Sequence, residues 1–412
     1  IKIMRIAVLS KEYLPYIYGG AGVHVEYLSR ELANLEQGSH EVQVLCFGDQ
    51  EQGNAGLHVK GVQADYAFPA YDPRHKKVFQ PLFKNMIMAG ELDPPDIVHC
   101  HTWYTHFAGC MVKELFDIPL VLTTHSLEPH RPWKAEQLGR GYNLSTWLEK
   151  TAYQNADGVV AVSHAMQEDV KDLYSVDEDK IEVIHNGIDP DEYKPTMDSE
   201  VLHEYGIDPE SPYVLFVGRI TRQKGIVHLL RAIEHLLPGV QVVLCAASPD
   251  TEEIAAEMQT LIGRARTLED KKVLWIEDPV PKEKIIPLYS QAAVFVCPSV
   301  YEPFGIINLE AMACATPVVA SAVGGIPEIV VPEETGLLVY FAPCSEENHE
   351  PKKPQAFSKD LARAVNRILA DPGLQKQMGE RARLRVQEKF SWSNIARSTL
   401  DFYRQLIAKK AE

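Results

Sequence analysis

At 412 residues the chain exceeds what one compact core supports and suits two domains. Its 45% hydrophobic and 24% charged content excludes a disordered or fibrous chain, and a formal net charge of −16 sets it against a nucleic-acid partner. The seven cysteines form no Cys-x-x-Cys pair, which argues against a structural zinc site or a disulfide framework and suits a reducing cytoplasm.

In chain order, β-branched runs at 5–10, 41–47, 96–101, 119–125, 158–163 and 181–186 alternate with helical patterns, notably 22–35 and 142–156. The second half repeats the scheme, with strands predicted at 213–218, 240–247, 272–277, 293–299, 316–321 and 336–340. Strands that are apolar on both faces and separated by helices imply parallel sheets covered on both sides. Two such sets in tandem predict an α/β protein of two doubly wound, Rossmann-like domains. An Asn-Gly turn opens the polar joint at 186–200, so the domains are placed at 1–190 and 191–390, with a terminal helix at 391–412. The segment 342–357 reads as a surface loop. No apolar run approaches the roughly 20 residues of a membrane span, and the start shows no charged-then-apolar leader. A cytoplasmic protein without a membrane partner is expected.

Ligands of open α/β sheets bind beyond the carboxyl ends of the strands, and the informative residues lie there. After the 213–218 strand, "GRITRQKG" gathers Arg219, Arg222 and Lys224 ahead of a helix, a setting for a multiply charged anion such as a diphosphate. After 293–299 comes "YEPFGIINLEAMA". Pro303 fixes a turn, and Phe304, Gly305 and Ile306 open a helix whose free N–H groups suit a phosphate oxygen. Glu302 precedes that helix. Glu310 lies inside it among apolar residues, where a buried acid needs a partner such as a sugar diol.

In the first half, Gly19, Gly20 and Gly22 form a flexible loop before a helix, without the G-x-G-x-x-G spacing of a nicotinamide-dinucleotide site. "HCHTWYTHFAG" places His99, His101, His106, Trp103 and Tyr104 after the third strand, a set suited to polar and stacking contacts with a sugar. No carboxylates are interleaved, so no metal site is expected. His125 ends the next strand and is followed by the cations Arg131, Lys134 and Arg140, which either hold an acceptor phosphate or pair with local acids such as Glu128 and Glu136.

Together "YGGAGVHVEYLSREL", "HTWYTHFAG", "LTTHSLEPHRPWKAEQLG", "IHNGID", "GRITRQKG" and "VCPSVYEPFGIINLEAMACATPVVASAVGGIPEIV" resemble the retaining GT-B glycosyltransferases of family 4, in the actinobacterial-type glycogen synthase branch. The likeness covers nearly the whole chain, with Glu302 and Glu310 matching the E-x7-E motif and Arg219 and Lys224 the diphosphate-binding pair. Family 5 glycogen synthases carry a Lys where Ile17 stands and Glu-Pro-Cys-Gly where this chain has Glu-Pro-Phe-Gly, which favours family 4.

The resemblance implies two Rossmann-like domains facing a cleft, acceptor in the first and nucleotide sugar in the second, with the terminal helix crossing back to the first. It implies transfer of α-glucose from ADP-glucose to the 4-OH of glucose-1-phosphate, giving α-maltose-1-phosphate, or to an α-1,4-glucan in glycogen synthesis. His125, Arg219, Lys224 and Glu302 would be catalytic. Gly19, Gly20, Arg219, Lys224, Phe304, Gly305, Ile306 and Glu310 would bind donor, and His101, Tyr104, Arg131, Lys134 and Arg140 acceptor. No cofactor or metal is implied, and oligomeric state stays open, a homodimer being one option. The alternatives are another family 4 transferase with a UDP- or GDP-sugar donor and a sucrose-type or lipid acceptor, a GT-B epimerase, or a non-catalytic nucleotide-sugar sensor.

Overall fold

The structure is a computed structural model that describes residues 3–54, 56–64, 69–132, 134–247, 249–345 and 348–411. The chain divides into two compact units. One comprises Ile1–Asn186 with Trp392–Glu412, and the other Gly187–Ser391.

The first unit holds β1 (Arg5–Ser10), β2 (Glu41–Phe47), β3 (Glu51–Asn54), β4 (Leu57–Val62), β5 (Ile97–His101), β6 (Leu120–Thr124), β7 (Gly158–Ala161) and β8 (Ile181–Val183). Their order across the sheet is β3-β4-β2-β1-β5-β6-β7-β8, parallel except for the β3–β4 pair. The order reverses between β1 and β5, so this unit's topological switch point lies at their carboxyl ends. One face of the sheet, with Ile6, Val8, Val44, Ile97 and Val121, packs on Leu28 and Leu32 of the helix Gly20–Gly38 and on Leu400 and Tyr403 of the helix Trp392–Ala411. Trp392 stacks on Tyr27, ring centroids 5.5 Å apart.

The second unit holds β9 (Tyr213–Arg219), β10 (Gln241–Ala247), β11 (Lys272–Ile276), β12 (Val294–Cys297), β13 (Val318–Ser321) and β14 (Gly336–Val339). They lie in the order β11-β10-β9-β12-β13-β14 with every pairing parallel. Here the order reverses between β9 and β12. Val214, Val242, Val294 and Val319 form the sheet's share of a core covered by Ile226, Leu230, Leu361 and Val365.

Several elements depart from the sequence reading. The pair β3–β4 was not foreseen: β3 is exposed along its length and β4 alternates buried with exposed residues, so neither shows the doubly buried run of its neighbours. The helix Lys76–Glu91 was missed too, because Pro81 inside it reads as a breaker. The first helix starts at Gly20, so Gly20 and Gly22 belong to it and not to a loop, and its backbone leaves helical geometry at Leu35–Gln37. Gly305 precedes the helix Ile306–Ala313, placing Phe304 and Gly305 in the turn. The helix Pro354–Leu369 begins within the segment read as surface loop.

Candidate functional site

In the second unit, the loops after β9 and β12 lock together at the switch point. Gly225 has a φ of +61°, and a Cβ there would lie 1.9 Å from the carbonyl oxygen of Pro298. Val300 N–H donates to the Gln223 carbonyl at 2.9 Å. This contact holds Lys224 beside Glu302, with Nζ 2.7 Å from Oε2. Ser299 Oγ donates to the same oxygen at 3.1 Å. Both side chains are largely buried, and Oε1 of Glu302 takes no hydrogen bond from the described residues. It remains free to accept from a ligand hydroxyl.

Arg219 ends β9, partly exposed, with a guanidinium nitrogen 3.4 Å from Asp250. Arg222 turns away to Glu257 at 2.5 Å. The third loop, after β13, supports Glu302 from below: Gly324 has a φ of +53°, its Cβ position lies 1.8 Å from the Glu302 carbonyl, and Gly325 N–H donates to that carbonyl at 3.1 Å.

Gly305 has a φ of +106°, and the space a Cβ would take is filled by Asn308 Nδ2 at 2.6 Å. The glycine is needed for backbone conformation and for Asn308. Phe304 is buried and its ring faces Phe390, centroids 6.2 Å apart, so its side chain belongs to the core. Ile306 is buried as the first helical residue.

Glu310 lies one and a half turns into that helix and is clasped by two phenols that no local pattern announces. Tyr289 donates to Oε2 at 2.8 Å and Tyr193 to Oε1 at 3.4 Å. Burial raises its carboxyl pKa, and the two phenols oppose the rise. Each carboxylate oxygen retains a lone pair for a further donor, as a diol requires.

In the first unit, the glycine loop before the first helix is already supplied with an anion. Glu12 Oε2 accepts from the N–H groups of Tyr18 at 2.9 Å and Gly19 at 3.1 Å. Its side chain also occupies the space a Cβ on Gly22 would need, at 2.9 Å.

Four histidines cluster at the ends of β5 and β6. His99 is core, bonded to Tyr403 at 2.5 Å and Thr123 at 2.6 Å, and does not face a ligand. His101 Nδ1 lies 2.9 Å from Nε2 of His125, while its own Nε2 is buried without a partner. His24 Nδ1 lies 2.6 Å from Asn186 Oδ1. Of these four, only His125 is partly exposed, so a role for buried His101 would run through His125. Burial, the leading cause, depresses all four imidazoles, His24 to about 4, and keeps them neutral at pH 7. Nitrogens of His24, His101 and His125 lie within 4.8 Å of one another, a donor set a transition metal could use. His106 is also buried, both ring nitrogens without partners, and is depressed to about 3 by burial.

Beyond β6, the basic residues divide. Lys134 is buried, with Nζ 3.1 Å from Oε1 of buried Glu128. Ser145 Oγ donates to the other oxygen at 2.9 Å. Arg131 lies 3.9 Å from Glu128 and bonds Ser126 at 3.4 Å. Arg140 is exposed at the turn before the helix Gly141–Asn155. Tyr104 lies under two ammonium groups, Lys134 at 5.4 Å from its ring centroid and Lys11, which the sequence reading passed over, at 4.3 Å.

Two doubly wound units, each with polar side chains at its switch point, define a GT-B glycosyltransferase. Residues 18–192 match Glycosyltransferase Family 4, and residues 198–385 match Glycosyl transferases group 1. The chain is 44% identical over 416 residues to α-maltose-1-phosphate synthase of Mycolicibacterium smegmatis, across 98% of this chain and 100% of that one. It is 28% identical to a glycogen synthase of Mycobacterium tuberculosis, covering 99% of this chain and 96% of the other. Among solved structures, sucrose-phosphate synthase from Thermosynechococcus elongatus superimposes with a TM-score of 0.78 at 26% identity, covering 98% of this chain and 100% of that one. The chain belongs to glycosyltransferase family 4, and it is a retaining hexosyltransferase. Among the described residues, no helix is long and apolar enough to cross a membrane.

Proposed function

We propose that the enzyme moves α-glucose from ADP-glucose to the 4-OH of glucose-1-phosphate, forming α-maltose-1-phosphate, with α-1,4-glucan chains as a second acceptor class in glycogen synthesis. One observation carries the chemistry: Lys224 is fixed on Glu302 at the switch point while Oε1 of Glu302 stays free. The likeness to α-maltose-1-phosphate synthase supports the choice of substrates.

In this reading Arg219 and Lys224 bind the donor diphosphate, aided by the N-terminus of the helix Ile306–Ala313. Glu302 accepts hydroxyls of the transferred glucose, and Glu310, set by Tyr289 and Tyr193, accepts from the ribose. In the first unit, neutral His125 is assigned to the glucose, and Gly19 and Gly20 to the diphosphate, which would have to displace Glu12 from its N–H groups.

Retention follows a front-face route. The bond from C1 to the diphosphate oxygen breaks as the acceptor oxygen bonds C1 on the same face, and the departing diphosphate takes the hydroxyl proton. The protein contributes positioning and stabilises the charge growing on the diphosphate. Cationic side chains there take the part a divalent ion would otherwise play, so neither metal nor cofactor is required.

The test is nucleoside-diphosphate release from ADP-glucose and UDP-glucose, with glucose-1-phosphate or glycogen as acceptor, followed by phosphorus NMR of the product. A phosphodisaccharide from ADP-glucose and glucose-1-phosphate is expected. Release only with glycogen would replace the reading with polymer elongation, and release without any acceptor would remove transfer altogether.

A further inference from the structure

At the switch point of the first unit, three neighbouring strands β1, β5 and β6 deliver cationic and aromatic side chains to one place. Lys11 follows β1, and its backbone is pinned by the Phe47 N–H on its carbonyl at 3.3 Å. Tyr104 begins the helix Trp103–Phe116 after β5, stacked on Trp103 at 4.2 Å between centroids. Arg131 follows the short turn Glu128–His130 after β6. We infer that Lys11, over the Tyr104 ring, and Arg131, joined to that ring through Glu128 and Lys134, form the subsite for the phosphate of a sugar-phosphate acceptor, with Lys134 held back as the structural counterion of Glu128. The inference rests on the transfer reaction proposed above and identifies which side chains choose the acceptor.

Partnering distinguishes the three cations. Lys134 is 8% exposed and sits on Glu128, which is 1% exposed and also takes the Ser145 hydroxyl. That pair is internally satisfied, and breaking it would leave a buried charge alone. Lys11 is half-buried, and among the described residues no carboxylate lies within 4.0 Å of its ammonium. Arg131, 21% exposed, reaches Glu128 only at 3.9 Å, and its Nε is buried without a partner.

Charge balance makes the same distinction. Glu149, whose Oε2 accepts from the Glu128 N–H at 2.7 Å, has its carboxyl pushed up to about 8 by burial and by Glu128, so it adds no charge at pH 7. Glu12, next to Lys11 in the chain, keeps its charge but directs its carboxylate to the N–H groups of Tyr18 and Gly19 and not to the Lys11 ammonium. With Lys134 and Glu128 cancelling, Lys11 and Arg131 leave an excess of positive charge in a protein whose net charge is −16. A phosphomonoester carries about −1.5 to −2 at neutral pH and has three acceptor oxygens, which suits an ammonium and a guanidinium together. The neutral Tyr104 ring, stacked on Trp103, stabilises both ammonium groups through its π-system.

The experiment compares wild type, Lys11→Gln, Lys11→Arg, Arg131→Gln and Lys134→Gln, after circular dichroism has confirmed folding. The measured quantity is the kcat/KM for glucose-1-phosphate divided by that for a short unphosphorylated α-glucan. Losing one charge-assisted contact should lower this ratio roughly 10- to 100-fold in Lys11→Gln and in Arg131→Gln, largely through KM. Lys11→Arg should recover most of it, and Lys134→Gln should lower thermal stability before it lowers the ratio. An unchanged ratio in both glutamine variants overturns the subsite. If wild type uses neither acceptor, the proposed reaction fails, and calorimetric binding of glucose-1-phosphate decides the subsite separately. Weakened binding in both glutamine variants upholds it, and equal binding in all the proteins overturns it.

Discussion

Acidification should unfold the first unit well before the second, and the histidine cluster sets how far. His24, His99, His101 and His106 are fully buried, and burial holds their imidazoles below the ordinary 6.5. For a group depressed on folding, the stability it contributes is complete above the unfolded pKa and is lost as pH falls toward the folded value. Between pH 7 and 5.5 each such histidine costs about 1.2 kcal/mol, so these four and His125, which burial also depresses, cost about 6 kcal/mol. Glu149 acts in the opposite direction. Its folded pKa is raised to about 8, so across this window the native state holds a proton that the unfolded state has lost, and acidification recovers about 2 kcal/mol.

The net expectation is a loss of about 4 kcal/mol, or a urea midpoint lower by roughly 2 M for a slope near 2 kcal/mol per M. Pulsed thiol labelling resolves the two units, because buried Cys46 and Cys100 report on the first and buried Cys245, Cys297 and Cys314 on the second. The midpoint for Cys46 and Cys100 should fall by that amount. A shift of equal size at all five cysteines, or none at Cys46 and Cys100, would refute the argument.

Other perturbations address the donor side. Lys224→Ala should lower kcat on the order of 10²–10³-fold, and near-normal turnover would defeat its assigned role. Tyr289→Phe removes the 2.8 Å donor to Glu310 and should raise the donor KM roughly 10-fold; steady-state kinetics giving an unchanged KM would show that Glu310 needs no fixing. Gly225→Ala places a methyl 1.9 Å from the Pro298 carbonyl at a φ of +61°, so urea unfolding should register a loss of at least about 2 kcal/mol. Exhaustive EDTA treatment should leave the transfer rate unchanged, and restoration of a lost rate by added metal would contradict the metal-free mechanism.

Much of the fold was legible because parallel strands covered on both faces leave uninterrupted apolar runs, as in "YVLFVG" and "AVFVC". Lys224, Glu302 and Glu310 were legible for a related reason: each directly follows or lies one helix beyond such a run. Edge strand β3, with all four residues exposed, leaves no such trace. Neither do partners brought together by the sheet order. Tyr289 and Tyr193 reach Glu310 from 21 and 117 residues away. Lys11 reaches Tyr104 because β1 and β5 are neighbours, a relation that no local pattern encodes. Lys134 shows the converse case, since local spacing grouped it with Arg131 while burial against Glu128 separates the two.

The first unit is closed by the last helix, Trp392–Ala411, whose Tyr403 hydroxyl bonds His99 at 2.5 Å and whose Trp392 stacks on Tyr27. The second unit is continuous in the chain. During synthesis, which runs from the amino end, the second unit therefore has all its residues while the first still lacks one wall of its core. A nascent chain stalled or cut before residue 392 would present Tyr27, Leu28 and Leu32 uncovered on one side. Such a chain is a candidate for chaperone capture or aggregation, and quality control at the carboxyl end would judge the integrity of the amino-terminal half.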